Sequence, residues 1–377
     1  MNNIIDYVKW RGDLTFDQAP LCPVDFLIFA QLVHLPLENL RGQGLGERLC
    51  DLEGRVYSAA PAKDENTLIR SRYELWQALR DTPRFGDVRL ARFASHFDAE
   101  EEKQFAAAVF RCGDVSIAAF RGTDATLVGW KEDFNMGFES PVPSQTEAVA
   151  FLTDSAALAD SWYTCGHSKG GNLAMYAAAM CGPEVRQKIR GVYSFDGPGM
   201  DQRTLQSPGW QELSVHSYIP ESSIIGLLLG YREDFTIIES DSVSIMQHNP
   251  YHWHVLGPGF VTAQETTLSS QFTDKTLHNF LDNCTVEQRK TMINALYSVL
   301  AASGATRLRD LPKDLVTHLD DVTAALAAIS PEERQAVGGA LKTLASAGGE
   351  NMRLLAGSLL SRFSPEAKKD GKAPSGV

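Results

Sequence analysis

The chain has 377 residues, 44% of them hydrophobic and 22% charged, which suits one large α/β domain with a helical appendage or two domains. Its 35 Lys and Arg against 47 Asp and Glu give a formal net charge of −12, which argues against a nucleic-acid surface and broad binding to anionic membranes. No apolar run approaches the ~20 residues that a membrane span needs.

The N-terminal part of the chain, up to about residue 95, is predicted to be helical and loop-rich. An apolar stretch covers 24–35 and an amphipathic one covers 65–79. We expect this part to form a cap on one side of a sheet. Two short apolar runs at 105–110 and 115–120 flank a Gly-Asp turn and predict a hairpin that feeds the sheet.

From residue 144 onwards, predicted helices alternate with predicted strands. This alternation is typical of an α/β fold with a mainly parallel sheet and helices on both faces. In such sheets the reactive groups collect beyond the carboxyl ends of the strands. The predicted helices are 144–159 and 172–180, and the predicted strands are 162–165, 189–195, 213–218 and 235–238.

The composition changes after about residue 268 to Ala- and Leu-rich helical stretches separated by Gly and Pro. We therefore predict an α/β domain over 1–268 that includes the N-terminal helical segment, a helical C-terminal region over 269–366, and a disordered tail over 367–377.

The expected location is cytoplasmic. The first ten residues contain no hydrophobic signal-peptide core. The six cysteines lack C-x-x-C spacing, which favours reduced thiols and indicates no metal site among them.

A possible nucleophile lies in G-H-S-K-G-G, which joins a predicted strand to a predicted helix. A strand that enters a helix through a tight bend brings backbones together, so small residues are needed around the serine, and Gly166, Gly170 and Gly171 supply them. The bend would hold the Ser168 hydroxyl above the sheet end, near N–H groups of the helix. Ser168 is therefore the predicted nucleophile, and a plain glycine turn is the alternative.

Such a serine needs a histidine base, and the expected chain order is serine, acid, histidine. His248 lies in Q-H-N-P-Y-H-W-H, where the proline forces an irregular loop that can bring the imidazole back over the serine. His252 and His254 lie beside it. Each of these three is a candidate base or an ordinary surface or core-edge histidine, and a metal pair is a further alternative for His252 and His254.

Two carboxylates compete for the role of the acid. Glu221 follows the 213–218 strand in Y-I-P-E-S-S and is favoured, because an acid usually stands at that strand end in this architecture. Asp196 follows the 189–195 strand in F-D-G-P-G and is the alternative acid. Its competing role is structural, in hydrogen bonds that hold the glycine-rich turn.

The oxyanion of an acyl transfer needs preorganised donors. The backbone N–H of Lys169 is the first candidate. The second is F-R-G-T-D at 120–124, because a strand that ends in Gly122 and Thr123 can present a backbone N–H and a hydroxyl together. The alternative is that these two residues form only a turn.

Several motifs occur together in this chain: F-R-G-T-D with Trp130 and Asp133 after it, G-H-S-K-G-G-N-L-A, S-F-D-G-P-G and Q-H-N-P-Y-H-W. Together they resemble the class 3 (fungal-type) lipases of the α/β-hydrolase superfamily, and still more a bacterial subgroup of that family whose function is largely unassigned. The resemblance covers about residues 1–260 and leaves out the C-terminal helices.

The resemblance implies an α/β-hydrolase fold in which Ser168 is the nucleophile, His248 the base, and Thr123 with the Lys169 amide the oxyanion hole. The chain departs from the family at the acid. Class 3 lipases generally have an aspartate where Glu221 stands, and usually a glycine at the position of Asp196.

The implied reaction is hydrolysis of a carboxylic ester, in a lipid or a small acyl conjugate, through an acyl-enzyme and without metal or organic cofactor. A thioesterase or peptidase would use the same residues, because the triad does not choose the leaving group. A hydrolase-like module that only binds a ligand or partner is the alternative from a different class.

Overall fold

A computed structural model describes most of the first 271 residues and a few beyond them. The described residues are 2–124, 126–227, 235–268, 270–271, 285–287, 289–290, 293–294 and 297. Contacts divide the chain into two units. One consists of residues 1–124 and 139–280, and the other of 125–138 and 281–377.

From residue 144 onwards the described helices and strands alternate, as the sequence predicts. The α-helices are α1 (Ile4–Arg11), α2 (Pro23–Leu32), α3 (Thr67–Leu79), α4 (Leu127–Asn135), α5 (Pro143–Ser155), α6 (Lys169–Met180), α7 (Pro183–Arg186), α8 (Gln202–Leu205) and α9 (Pro208–Gln211). The strands are β1 (Arg89–Asp98), β2 (Lys103–Cys112), β3 (Val115–Phe120), β4 (Trp162–His167), β5 (Ile189–Phe195), β6 (Val215–Pro220), β7 (Phe235–Ile238), β8 (Val255–Leu256) and β9 (Gly259–Phe260). Short 3-10 helices cover Leu37–Leu40, Leu49–Leu52, Ala156–Leu158, Ile225–Leu227, Ser244–His248 and Pro250–His252.

Strands β1 to β7 form one sheet in the order in which they occur along the chain. β1, β2 and β3 pair antiparallel, and β3 to β7 pair parallel. The predicted hairpin and the predicted mainly parallel sheet are both confirmed. Because β4 and β5 are parallel neighbours, the residues that follow them emerge side by side at one edge of the sheet.

Different parts of the chain cover the two faces of the sheet. On β4, the Tyr163 ring packs against Phe26 of α2 with centroids 4.8 Å apart. The next residue, Thr164, donates its hydroxyl to the Ala174 carbonyl oxygen of α6 at 3.2 Å. Successive side chains of a strand point to opposite faces. Helix α2 therefore lies on one face and α6 on the other, and the prediction of an N-terminal cap on one side is confirmed.

Strand β1 was not predicted. It lies at the edge of the sheet, in a segment expected to be helical and loop-rich, and pairs with β2. Leu90 is its single buried residue, so the strand lacks the alternation of buried and exposed side chains that marks a strand in a sequence.

A buried ion pair anchors the N-terminal segment. Arg84 Nη2 lies 2.6 Å from Asp25 Oδ2, and the two side chains are 1% and 0% exposed. The Tyr7 hydroxyl donates to the other oxygen of Asp25 at 2.9 Å. Arg84 also donates to four carbonyl oxygens of the loop that precedes α2, those of Leu14, Thr15, Ala19 and Pro20.

The second unit contains α4 and the described helical residues between 285 and 297. Within it, Arg289 donates to the Gly137 carbonyl oxygen at 2.9 Å, and Lys131 Nζ lies 4.4 Å from the Tyr297 ring centroid. Most of the predicted helical region 269–366 and all of the predicted tail 367–377 lie outside the described residues. The predicted division into domains therefore stays a prediction.

In the part of the chain that the structure describes, no helix is both long and apolar enough to cross a membrane. The five cysteines in that part are free thiols, and Cys112, Cys165 and Cys181 are buried. Cys284 lies outside the described residues.

Candidate active site

Ser168 is the single residue between β4 and α6. Its backbone has φ 58° and ψ −134°, a conformation that residues other than glycine rarely adopt. Such strain costs on the order of 1–3 kcal/mol and clusters at functional sites. Two hydrogen bonds hold it, from the Ser168 N–H to the Phe195 carbonyl oxygen at 2.9 Å and from the Gly171 N–H to the Ser168 carbonyl oxygen at 2.8 Å.

The glycines around the serine permit backbone contacts that no side chain would allow. A Cβ at Gly166 would lie 2.0 Å from the Gly170 carbonyl oxygen, and one at Gly170 would lie 2.1 Å from the Phe120 carbonyl oxygen. A Cβ at Gly122, in the loop after β3, would lie 3.2 Å from Ser168 Cβ. The tight strand-to-helix bend predicted from G-H-S-K-G-G is thus present, and the loop after β3 lies directly against it.

His248 pairs with Asp196. Its Nδ1 lies 2.6 Å from Asp196 Oδ2, with Asp196 1% exposed and the His248 side chain 26% exposed. The His248 ring packs on the ring of His167 with centroids 4.6 Å apart, and His167 Nε2 donates to the His248 carbonyl oxygen at 2.8 Å. His167 directly precedes Ser168, so these contacts hold His248 beside the elbow. An imidazole that donates through Nδ1 keeps Nε2 available as a base.

No hydrogen bond joins the Ser168 hydroxyl to His248 among the described residues. In enzymes without bound substrate such hydrogen bonds are often long, and they tighten when substrate binds.

The geometry favours Asp196 over the sequence-based preference, Glu221, as the acid. Glu221 follows β6, two strands away from β4, whereas Asp196 follows β5, the direct neighbour of β4. The Glu221 backbone bonds to Ile238 and Thr267. Within the described part of the chain, its carboxylate has no hydrogen bond or ion pair with His248. On this ground the proposed acid is Asp196, the alternative, in place of Glu221.

Asp196 is held by a second set of contacts that the sequence did not indicate. Its Oδ1 accepts hydrogen bonds from the Ser223 hydroxyl at 2.5 Å and from the Gly226 N–H at 3.1 Å. Its backbone has φ 48°, which aspartate tolerates better than most residues. Both donors follow Glu221 in the chain, so the Y-I-P-E-S-S motif contributes to the site as a support for Asp196.

Lys169 links the elbow to the loop proposed as the second side of the oxyanion hole. It is the first residue of α6, where backbone N–H groups can meet an anion. Its side chain is 1% exposed, and Nζ donates to the Gln104 carbonyl oxygen at 2.7 Å and to Gln104 Oε1 at 3.0 Å. Gln104 Oε1 also accepts the Asp124 N–H at 3.2 Å, directly after Thr123. The sequence predicted only the backbone role of Lys169.

Two further histidines lie next to the elbow. His34 Nε2 accepts the Gly122 N–H at 3.4 Å, which requires an unprotonated nitrogen. Burial and the charges of Arg72 and Arg121 hold the pKa of His34 well below its ordinary value. Burial and the adjacent His248 do the same to the pKa of His167. Both environments therefore favour the neutral imidazole in the folded chain. No motif in the sequence pointed to His34.

Lowering the pH below about 6.5 is expected to destabilise the fold through His34 and His167. The unfolded chain binds protons at these histidines that the folded chain does not, so the free energy of unfolding falls as the pH falls. Each histidine contributes up to about 1.4 kcal/mol per pH unit between its ordinary and its lowered pKa. Urea unfolding at a series of pH values measures this slope.

The matched variant for this measurement is His34→Gln, which keeps an acceptor for the Gly122 N–H and removes the titration. It is expected to flatten the pH dependence. His96→Gln is the control, because the His96 side chain is 60% exposed. An unchanged slope in His34→Gln contradicts the expectation.

The remaining candidate histidines pair with separate carboxylates. His252 Nδ1 lies 2.8 Å from Asp241 Oδ1, and His254 Nδ1 lies 3.6 Å from Glu239 Oε2. Neither pair includes Asp196. Of the three candidate bases, His248 is the one that the structure brings to Asp196.

Comparison with known proteins gives a family match and a structural likeness. A family model described as Mbeg1-like matches residues 79–298, more than half of the chain. No curated protein matches the sequence. Among solved structures, the chain is similar to a triacylglycerol lipase from Penicillium expansum at 13% identity and a TM-score of 0.29, over 49% of this chain and 86% of the lipase chain.

Proposed function

This chain belongs to the Mbeg1-like family, and we propose that it is a serine hydrolase of the lipase type, which cleaves a carboxylic ester through an acyl-enzyme on Ser168. In this proposal His248 is the base and Asp196 the acid that orients it. The Lys169 amide and Thr123 form the oxyanion hole.

The observation that carries the proposal is the contact of the buried Asp196 with His248 beside a strained serine. Asp196 Oδ2 lies 2.6 Å from His248 Nδ1, so the imidazole is held in the tautomer whose Nε2 accepts a proton. The Ser168 N–H bonds to the residue that directly precedes Asp196 in the chain. Nucleophile and acid are thereby tied to one sheet edge, which is the arrangement that acyl transfer by a serine needs.

The reaction proceeds in two halves. The Ser168 oxygen bonds to the acyl carbon while its proton passes to His248 Nε2, and the tetrahedral oxyanion accepts hydrogen bonds from the Lys169 amide and Thr123. The bond to the leaving alcohol then breaks, and the alcohol takes the proton from His248. Water repeats these steps on the acyl-enzyme, releases the acid and restores Ser168.

Labelling with a fluorophosphonate probe tests the proposal directly. The probe is expected to modify the intact protein at Ser168, located by mass spectrometry of the labelled peptide. Ser168→Ala and His248→Ala are expected to remain unlabelled, because the first removes the attacking oxygen and the second its base.

The control variant is Ser58→Ala, which removes an exposed serine and should label like the original chain. A folded protein that stays unlabelled would contradict the hydrolase and favour a module that only binds. Labelling at a serine other than Ser168 would overturn the assigned nucleophile.

A further inference from the structure

Lys169 is a cation in a place where a cation is costly. Its side chain is 1% exposed, and burial disfavours a charged group. It is also the first residue of α6, where the helix dipole favours negative charge over positive charge. An apolar side chain in this position would avoid both costs. The contacts of the ammonium group are therefore what can account for a lysine directly after the proposed nucleophile.

Two of these contacts are with Gln104, the second residue of β2. Lys169 Nζ donates to the Gln104 carbonyl oxygen at 2.7 Å and to the side-chain oxygen Oε1 at 3.0 Å. Gln104 is 4% exposed. Since an ammonium group only donates, it selects the orientation of the Gln104 amide in which Oε1, and not Nε2, faces the lysine.

The same side-chain oxygen also holds the loop after β3. It accepts the Asp124 N–H at 3.2 Å. On the other side of Thr123, the Gly122 N–H donates to His34 Nε2 at 3.4 Å. Thr123 thus lies between two residues whose backbone N–H groups are hydrogen-bonded, and one of the two acceptors is oriented by Lys169.

The loop that is held in this way lies against the proposed nucleophile. A Cβ at Gly122 would lie 3.2 Å from Ser168 Cβ and 2.6 Å from the His167 carbonyl oxygen. An oxyanion hole needs donors that are in place before the charge develops, and the loss of one donor lowers kcat by about 10²–10³-fold. A displacement of this loop would therefore lower the rate of acyl transfer.

We propose that Lys169 is a positioning residue as well as an oxyanion donor: through Gln104 its side chain fixes the loop 122–124 and keeps Thr123 in place for the oxyanion. One residue then serves both sides of the hole, with its amide directly and with its ammonium group through the neighbouring loop. The catalytic part of this inference rests on the proposed function. The contacts that join Lys169, Gln104 and Asp124 do not depend on it.

Hydrogen exchange followed by mass spectrometry tests the hold on the loop without any reaction. Gln104→Leu removes the acceptor of the Asp124 N–H, and exchange in the segment 120–124 is expected to become about tenfold faster. Lys169→Met should change it in the same direction, because nothing then selects the orientation of the Gln104 amide. The control is Thr164→Val, which removes another buried hydrogen bond of the sheet to α6 and should leave exchange in this segment unchanged.

Kinetics with a para-nitrophenyl ester test the effect on the oxyanion hole. Lys169→Met is expected to lower kcat by about tenfold or more with little change in KM, because the loop acts on the transition state and not on bound substrate. Thr164→Val should keep the kcat of the original chain. Rates are expressed per active site, counted by complete labelling with the fluorophosphonate probe, so that unfolded protein does not contribute.

A double-mutant cycle shows whether Lys169 acts through Thr123. Thr123→Val alone is expected to lower kcat by about 10²-fold. Addition of Lys169→Met to this variant should lower kcat much less than Lys169→Met does in the original chain, because the hydroxyl that the lysine positions is already gone. A lysine that only stabilised the fold would lower kcat by the same factor in both backgrounds.

The outcomes separate the positioning role from the hydrolase. Unchanged exchange in 120–124 overturns the positioning role whether or not the protein is an enzyme. In protein that labels at Ser168, an unchanged kcat in Lys169→Met or independent effects in the cycle also overturn it. Protein that neither labels nor hydrolyses esters contradicts the hydrolase, and faster exchange in both loop variants then still supports the hold of Lys169 and Gln104 on the loop.

Discussion

Asp196→Asn is expected to lower kcat for ester hydrolysis by about 10⁴-fold while the chain remains folded. The carboxylate accepts the Nδ1 proton of His248 at 2.6 Å and so keeps Nε2 free to take the serine proton. An asparagine can present its amide N–H to Nδ1 instead, which favours the opposite tautomer and blocks the base. Steady-state kinetics with a para-nitrophenyl ester measure the effect, and thermal unfolding checks the fold.

Glu221→Gln is the matched control, since it makes the same change of carboxylate to amide at the acid that the sequence favoured. Its kcat is expected to stay close to that of the original chain, because its carboxylate does not pair with His248 among the described residues. The reverse ranking, with Glu221→Gln inactive and Asp196→Asn active, would restore Glu221 as the acid.

Arg84→Met is expected to destabilise the fold by about 3–5 kcal/mol, because it leaves the fully buried Asp25 carboxylate without its cation. It also removes the donor shared by four carbonyl oxygens of the loop before α2. Urea unfolding, followed by the fluorescence of the buried Trp76 and Trp162 among others, measures the loss of free energy.

Two further variants separate the buried pair from surface charge in general. Arg48→Met breaks an exposed pair with Asp51 and Asp87 and should leave the free energy of unfolding close to that of the original chain. The double variant Asp25→Asn with Arg84→Met should be more stable than the sum of the two single effects implies, because neither charge is left alone. Additive effects would show that the pair is not coupled.

The strands were predictable where the local pattern of apolar residues matches their burial in the structure. β2 to β5 are largely buried, and their apolar runs marked them as strands. β1 has one buried residue and carried no such signal. The Asp25–Arg84 pair joins residues 59 positions apart, and each looks like an ordinary surface charge in the sequence.

The same distinction between local signals and long-range packing applies to the candidate site. Ser168, with its glycines, was predictable because the bend is local and the small residues that it requires are adjacent in the sequence. The acid was not predictable, because Asp196 and Glu221 both follow strands. Only the order of those strands in the sheet decides which of the two carboxylates reaches His248. His34 belongs to the N-terminal segment, and its place beside Gly122 depends on long-range packing.

The position of α2 has a consequence for the folding of the chain during its synthesis. Nine of its ten residues are buried, and they cover strands that are synthesised much later, up to β5. At ~5–20 residues per second, Tyr193 is synthesised on the order of ten to thirty seconds after this mostly apolar helix. Its ring stacks against Phe26 in the folded chain. The earlier partners of the helix on the sheet, Phe110 of β2 against Phe29 and Tyr163 of β4 against Phe26, also follow it by more than 80 residues, so all these contacts are of the long-range kind that slow folding. A holdase that binds short apolar segments would have its natural target in the first forty residues of this chain.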